Sequence, residues 1–304
     1  MTIRPLDFLD LPTIARYRND VLTLDSARAL TRGHPLGAMG LLAYINPSRH
    51  LYAAIDNSNN ETILGGVIHT RGETFAKLLY LAPASNLNDS QLPALIEHLS
   101  AQAGEWQAAH IIAEVDETSD VFPALRMAGF SVYAWQRVWD VSLLEKTGSN
   151  SSTSWRRMQS VDLHGVQSLH YQIVPQLLHP VEPAPNRVQG YVHEGMRCFA
   201  NITSGMYGIA LTPLIHPEEN GVSEKIVSLI SNLPGRGRPI YLNVRSYQTW
   251  LEPVLEDLGA KASARQAVMV KHLAHLVKNG QPVRTLPTTA GVQPSRMSRM
   301  KVDE

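Results

Sequence analysis

A strand, a helix, a glycine and a second strand follow one another between His110 and Val141, and the same order returns in IYLNVRSYQTWLEPVLEDLGAKASARQAVMVK. A shift of 130 residues lays Pro123 on Pro253, Leu125 on Leu255, Gly129 on Gly259, Gln136 on Gln266 and Val138 on Val268. Similar material precedes each copy. An internal duplication of this size restricts the chain to two related folding units and is read before anything else. Within the first copy, Ile111 to Val115 is an apolar run of strand length. Asp116 to Asp120 supplies the polar residues that open helices, and Val121, Leu125 and Ala128 recur at helical spacing. Gly129 and Gly259 stand where a helix ends with positive φ.

The length of 304 residues suits two units, each large enough for its own core. The expected division is 1–144, a linker at 145–154 rich in Ser and Gly, a second domain at 155–278, and a disordered tail at 279–304 rich in Pro, Thr, Ser and Arg. Lysine plus arginine equals aspartate plus glutamate, 27 each, so composition offers no electrostatic case for nucleic acid or an anionic membrane. Cys198 is the single cysteine, which excludes an intrachain disulfide. No apolar run reaches spanning length and the first ten residues carry no apolar leader pattern, so the expected setting is reducing and cytoplasmic.

The remaining elements read as follows. Thr2–Pro5 is a strand, Leu11–Asn19 a helix capped by Asp7 or Asp10, Val21–Leu30 a second helix, and Thr31–Pro47 a loop. His50–Asp56 and Thr62–Arg71 form a strand pair, followed by strand Ala76–Pro83 and a helix capped by Asp89 or Ser90. In the second unit, Trp155–Val161 opens the domain and Asp162–Leu178 is a helix. Gly190–Ile202 and Met206–Ile215 are strands, and Ser223–Leu233 is a helix.

This order of elements resembles the GNAT superfamily of acyl-CoA-dependent N-acyltransferases. In the first unit the likeness rests on Ile3, Arg4, Pro5 and Asp7, on Ile63-Leu64-Gly65-Gly66-Val67, and on Leu125 to Phe130. In the second it rests on Arg156, Asp162, His216-Pro217-Glu218 and Leu255 to Gly259. The resemblance implies an α/β fold of two tandem GNAT-like domains, each a mixed, mostly antiparallel sheet flanked by helices. It also implies acetyl-CoA as acyl donor and a small-molecule or peptide amine as acceptor. Tandem members of the family include some with one active half.

In the family, a glycine-containing loop after the central strand holds the coenzyme A pyrophosphate on backbone N–H groups at a helix N-terminus, where the helix dipole favours anions. The first unit has PASNLNDSQLP at that place, without glycine or basic residue. The second has HPEENGVSEK, with one glycine and carboxylates at Glu218 and Glu219. The resemblance therefore points to Gly221, Val222 and Ser223 for the cofactor, with a backbone N–H at Ala82 or Ile215 for the oxyanion. Leu125 and Leu255 replace the tyrosine that often protonates the leaving thiolate. Tyr133 is the substitute, and a half-buried strand tyrosine is its bland alternative. Glu114, in an otherwise apolar strand, is the candidate base, against an outward-facing strand glutamate.

His272 and His275 have no accompanying ligand residues, so a metal site is not expected. His69 reads as a structural histidine, and Arg236 and Arg238 in PGRGRP as a solvated turn. Two readings of function stay open: an acyltransferase moving an acetyl group to an amine, and a binding or scaffolding protein that keeps the fold without catalysis. The oligomeric state is not legible.

Overall fold

The computed structural model describes residues 3–37, 49–57, 62–87, 91–146, 154–233 and 237–273. Asp89, Ser90, residues 147–153 of the linker, Arg236, His275 and the tail from 279 lie outside the described residues, as does most of the expected loop before Pro47.

The strands are β1 (Ile3–Pro5), β2 (Leu22–Thr23), β3 (Arg49–Asp56), β4 (Ile63–Thr70), β5 (Phe75–Ala82), β6 (His110–Asp116), β7 (Ser131–Asp140), β8 (Trp155–Arg157), β9 (Tyr191–His193), β10 (Cys198–Ser204), β11 (Ile209–Ile215), β12 (Ile240–Arg245), β13 (Lys261–Ala262) and β14 (Gln266–His272). The α-helices are α1 (Leu11–Tyr17), α2 (Ser26–Arg32), α3 (Leu92–Glu105), α4 (Val121–Met127), α5 (Leu163–Ile173), α6 (Val222–Ser231) and α7 (Leu251–Asp257). All fourteen strands belong to one sheet, ordered β1-β3-β4-β5-β6-β14-β7-β12-β11-β10-β9-β8, with β13 on β7 and β2 on β5. Two neighbouring pairs are parallel, β5 with β6 and β11 with β12.

The repeated unit folds twice as its sequence predicts. Helices α4 and α7 begin at equivalent positions and end at Gly129 and Gly259, whose φ angles are +89° and +81°. Leu125 and Leu255, both fully buried, hold the two helices on their cores. A second repeated device opens each half. Arg4 donates two hydrogen bonds to Asp10 at 2.7 and 2.6 Å, and Arg156 donates two to Asp162 at 2.6 Å. In each clasp the carboxylate also accepts a backbone N–H at 2.8 Å, from Asp7 or from Gln159. Asp10 therefore serves the clasp and makes no side-chain cap on α1, unlike the expected capping role.

The last strands are exchanged between the halves. β14 lies between β6 and β7, and β7 lies against β12. Met269 and Ala267 of β14 pack with Leu78, Leu95 and Leu125, while Trp139 of β7 and Val141 just after it pack with Leu211, Leu242 and Ile226.

Two expectations are corrected. Val21–Leu30 is not one helix: Leu22–Thr23 is a strand on β5 and the helix starts at Ser26, with Asp25 accepting from the Arg28 N–H as its cap. Gly190–Ile202 is two strands, β9 and β10, turned at Gly195 and Met196, whose φ angles are +88° and +58°. The asparagine-like tolerance for positive φ is not expected at a methionine, so sequence pattern alone ran the strands together. No helix among the described residues is long and apolar enough to cross a membrane.

Candidate active site

Parallel strands that pair over only part of their length leave a gap. β5 and β6 pair from Phe75–His110 to Lys77–Ile112 and then part. β11 and β12 pair from Ile209–Ile240 to Leu211–Leu242 and then part. The two gaps are filled differently.

In the first half, the chain itself enters. Leu24 N–H donates to Leu79 O at 2.8 Å, and Glu114 N–H donates to Leu24 O at 2.8 Å. Ser26 N–H donates to Glu114 Oε2 at 2.9 Å, and Lys77 pairs with Asp25 at 3.1 Å. Segment 22–26 thus bridges the two strand edges that an extended ligand would need. Ala82 is fully buried and pairs with Leu64.

In the second half, a side chain occupies the gap. Ile215 N–H donates to Gln248 Oε1 at 3.0 Å, and Gln248 Nε2 donates to Pro213 O at 2.8 Å. One buried amide thereby satisfies the donor and the acceptor of the open strand edge. Beyond it, Gly221 caps α6 in the left-handed region at φ +63°. Val222 is buried in the core and Ser223 is half-buried. Glu219 is neutralised by Arg197 at 3.4 Å and by Lys225. Glu218, largely exposed, also meets Arg197, at 3.1 Å.

A cavity of about 310 Å³ lies between the halves, floored by β5, β6 and β11 and roofed by residues 181–187. Glu114 and Tyr133, the two catalytic candidates, both line it. Their shared surroundings were not legible in the sequence. Glu182 accepts from Tyr133 Oη at 3.1 Å, from Tyr247 Oη at 2.7 Å and from Arg245 Nε at 3.0 Å. Arg245 also faces Glu114 at 3.7 Å and donates to Gln136. Burial raises both tyrosines well above their ordinary value, and Glu182 adds to the effect, so each phenol keeps its proton. Burial alone would lower the Arg245 pKa, but Glu182 and the other facing groups more than offset it. The result is a half-buried carboxylate held by two phenols and a guanidinium, with Tyr133 and Tyr247 bordering open space.

The cavity brings Glu114 and Tyr133 together. Gly221, Val222 and Ser223 form a separate group at the start of α6, and Ile215 stands between the two through Gln248, the neighbour of Tyr247. Among the other candidates, His69 is buried and bonds Glu73 O at 2.8 Å, and Cys198 is buried. Arg238 bonds Gly205 O at 2.7 Å rather than lying free in solvent. No group of three metal-ligating side chains occurs among the described residues.

No family model matches the chain, and no curated protein does. Solved structures do. A tandem GNAT protein from the clavulanic acid biosynthesis pathway matches with a TM-score of 0.51 and 13% identity, over 90% of this chain and 98% of that one. A putative acetyltransferase from Pyrococcus horikoshii matches with a TM-score of 0.52 and 9% identity, over 90% of each chain. At these identities the likeness is one of fold. With the duplicated strand–helix–strand unit, the two partly paired parallel strand pairs and the exchanged last strands, the chain has the tandem GNAT fold.

Proposed function

We propose that the protein is an N-acyltransferase that takes an acyl group from acetyl-CoA or a related thioester to an amine held in the cavity between the halves. The observation that carries this reading is the Glu182 cluster, placed where β11 and β12 part. Its two proton-bearing phenols and its carboxylate suit a site that must bind an ammonium group and later protonate a leaving atom. The first half does not fit the thioester, because segment 22–26 holds its gap. The second half fits: Ile215 N–H and Pro213 C=O offer a donor and an acceptor that Gln248 satisfies with an amide, and a ligand amide can replace it. The N–H groups at Val222 and Ser223 are the anion-binding groups of α6.

A bound thioester supplies an activated carbonyl carbon. Glu182 and Glu114 draw the ammonium form of the acceptor into the cavity, and Glu114 takes the proton that frees its lone pair. The nitrogen bonds to the carbonyl carbon and the carbon–sulfur bond breaks. Tyr133 gives its proton to the sulfur and is reprotonated by the proton shed from nitrogen, so one proton is released to water overall. Glu182 also holds Tyr133 and Tyr247 in place.

Acetyl-CoA consumption with a panel of primary amines tests this. Turnover that falls at least 100-fold in Tyr133→Phe and in Glu114→Gln, in keeping with the usual worth of general acid–base groups, supports it. Turnover unchanged in both variants overturns these roles.

A second reading is favoured by one observation. Both gaps are already bridged, by segment 22–26 and by Gln248, which suits a protein that binds a small molecule in the cavity without acyl transfer. Ligand binding in the cavity with no acetyl-CoA binding, even after Gln248→Ala, decides for it.

A further inference from the structure

The cavity does not end at the Glu182 cluster. Glu73, Phe75 and Lys77, on its floor, also line a recess of about 200 Å³ that continues toward β3 and α2. The recess adds Arg28, Arg32 and Arg49. Of the two acids there, Asp25 pairs with Lys77 inside the recess at 3.1 Å and Glu73 with Arg187 at 3.7 Å. Arg32 and Arg49 form no ion pair among the described residues, and both are half-buried. Burial, then Arg32, lowers the pKa of Arg49, and Asp25 offsets this only in part. Like charges gathered in a recess cost stability and are tolerated where a ligand of opposite charge binds.

The other end has its own opening for a ligand. His170 lines the main cavity, is only 4% exposed, and its Nδ1 has no hydrogen-bond partner among the described residues. Burial, then His179, lowers its pKa, so the ring is neutral and can accept or donate one bond. A buried polar atom without a partner is expensive unless a ligand or water completes it.

Resting on the acyl-transfer reading, we propose that the acceptor is an elongated amine carrying an anionic group, a carboxylate or a phosphate, with its amine among Glu182, Tyr133 and His170 and its anion on Arg32 and Arg49. Arg49 on β3 and Glu114 on β6 are three strands apart, about 14 Å at the usual spacing. The long arginine side chains shorten the span that the ligand must cover. A compact amine reaches one end of this groove, and only a longer, doubly charged molecule reaches both.

The test uses the full chain and needs no turnover. Thermal midpoints are measured with straight-chain ω-amino carboxylates of increasing length and with the matching ω-amino alcohols, for the unchanged protein, R32Q/R49Q, and K261Q as a control on the distant β13. The expected result is that one length of amino carboxylate raises the midpoint well above its amino alcohol, that R32Q/R49Q abolishes the difference, and that K261Q keeps it. Without ligand at low salt, R32Q/R49Q should melt no lower than the unchanged protein, because it removes repulsion and breaks no pair. No length dependence, an equal response to the amino alcohols, or a difference that survives R32Q/R49Q overturns the proposal. Amino carboxylate binding without acetyl-CoA turnover leaves this inference standing while removing the acyl-transfer reading. Turnover indifferent to R32Q/R49Q does the reverse.

Discussion

Gln136 and Gln266 hold the same position in the two copies of the repeat, and in the fold their side chains meet: Gln136 Nε2 donates to Gln266 Oε1 at 2.9 Å. They face each other across β7 and β14, the two exchanged strands. Ser26 Oγ donates to the same oxygen at 2.9 Å, and Arg245 donates to Gln136 Oε1. The junction of the duplication is thus also the junction of the segment filling the first gap with the cavity cluster. Gln266→Leu strands the donors of Gln136 and Ser26 and should cost about 1–3 kcal/mol, read as a fall in the urea midpoint. The exchange predicts a larger effect for truncation. A chain ending before Gln266 leaves β6 and β7 with open edges and removes Met269 from the first core, so it should lack a cooperative unfolding transition. A sharp transition in the truncated chain would show that the first half closes its own sheet.

Glu182 should be the most expensive charge in the protein to remove. Glu182→Gln leaves the half-buried Arg245 with its bond to Gln136 and the longer contact to Glu114, and breaking a largely buried pair from one side costs up to roughly 3–5 kcal/mol. Arg137 and Glu252 form a more exposed pair at 2.8 Å. Glu252→Gln should cost under about 1 kcal/mol. Chemical denaturation of the two variants side by side measures the contrast, and equal losses would place the Glu182 cluster among ordinary surface pairs.

The two arginine clasps predict a shared acid sensitivity. Arg156, then the Gln159 N–H, lowers the Asp162 pKa from 3.8 to about 2, and Arg4 lowers Asp10 in the same direction. A carboxylate with a depressed folded pKa contributes stability that is complete above its unfolded value and is lost as pH falls toward the folded one. Stability should therefore decline between about pH 4 and pH 2 through these two groups. In D10N/D162N the neutral-pH stability should be lower and that part of the decline flatter. Urea midpoints against pH check both, and an unchanged acid slope would assign the decline to other carboxylates.

Cys198 should report unfolding without being engineered. Burial pushes its thiol up to about 12. Thiolate is the reactive form, so the native protein should resist alkylation at mildly alkaline pH and react at the rate at which it opens. Alkylation followed by mass across a urea series measures this. Rapid labelling without denaturant would mean that β10 is accessible in the native state.

Much of the fold was legible because it rests on local signals repeated twice. Apolar strand runs, Gly129 and Gly259 at the helix ends, and the paired identities place the same unit in both halves. The strand exchange was not legible, since β14 has the same alternation whichever sheet receives it. Leu22–Thr23 was lost to the helical spacing around it, because a two-residue strand carries no period. For the site, Glu114 and Tyr133 stood out as a charge and a phenol in apolar strands. Glu182 sat in a proline-rich loop with nothing to mark it. One signal for Arg245 was present: the 130-residue shift lays Glu114 on Val244 and Val115 on Arg245. Where one copy of a repeat keeps valine and the other carries a charge, the copies have diverged in the polarity of that strand.

If the second half takes an acyl-CoA, acetyl-CoA should raise the thermal midpoint of the protein. A ligand at 100 times its dissociation constant stabilises the native state by about 2.7 kcal/mol. For a chain of this size that is a rise of roughly 5–10 °C. Such a rise is expected in the unchanged protein, with its loss in Ser223→Glu, which places a negative charge at the start of α6. No rise with saturating acetyl-CoA, or an equal rise in Ser223→Glu, would contradict it.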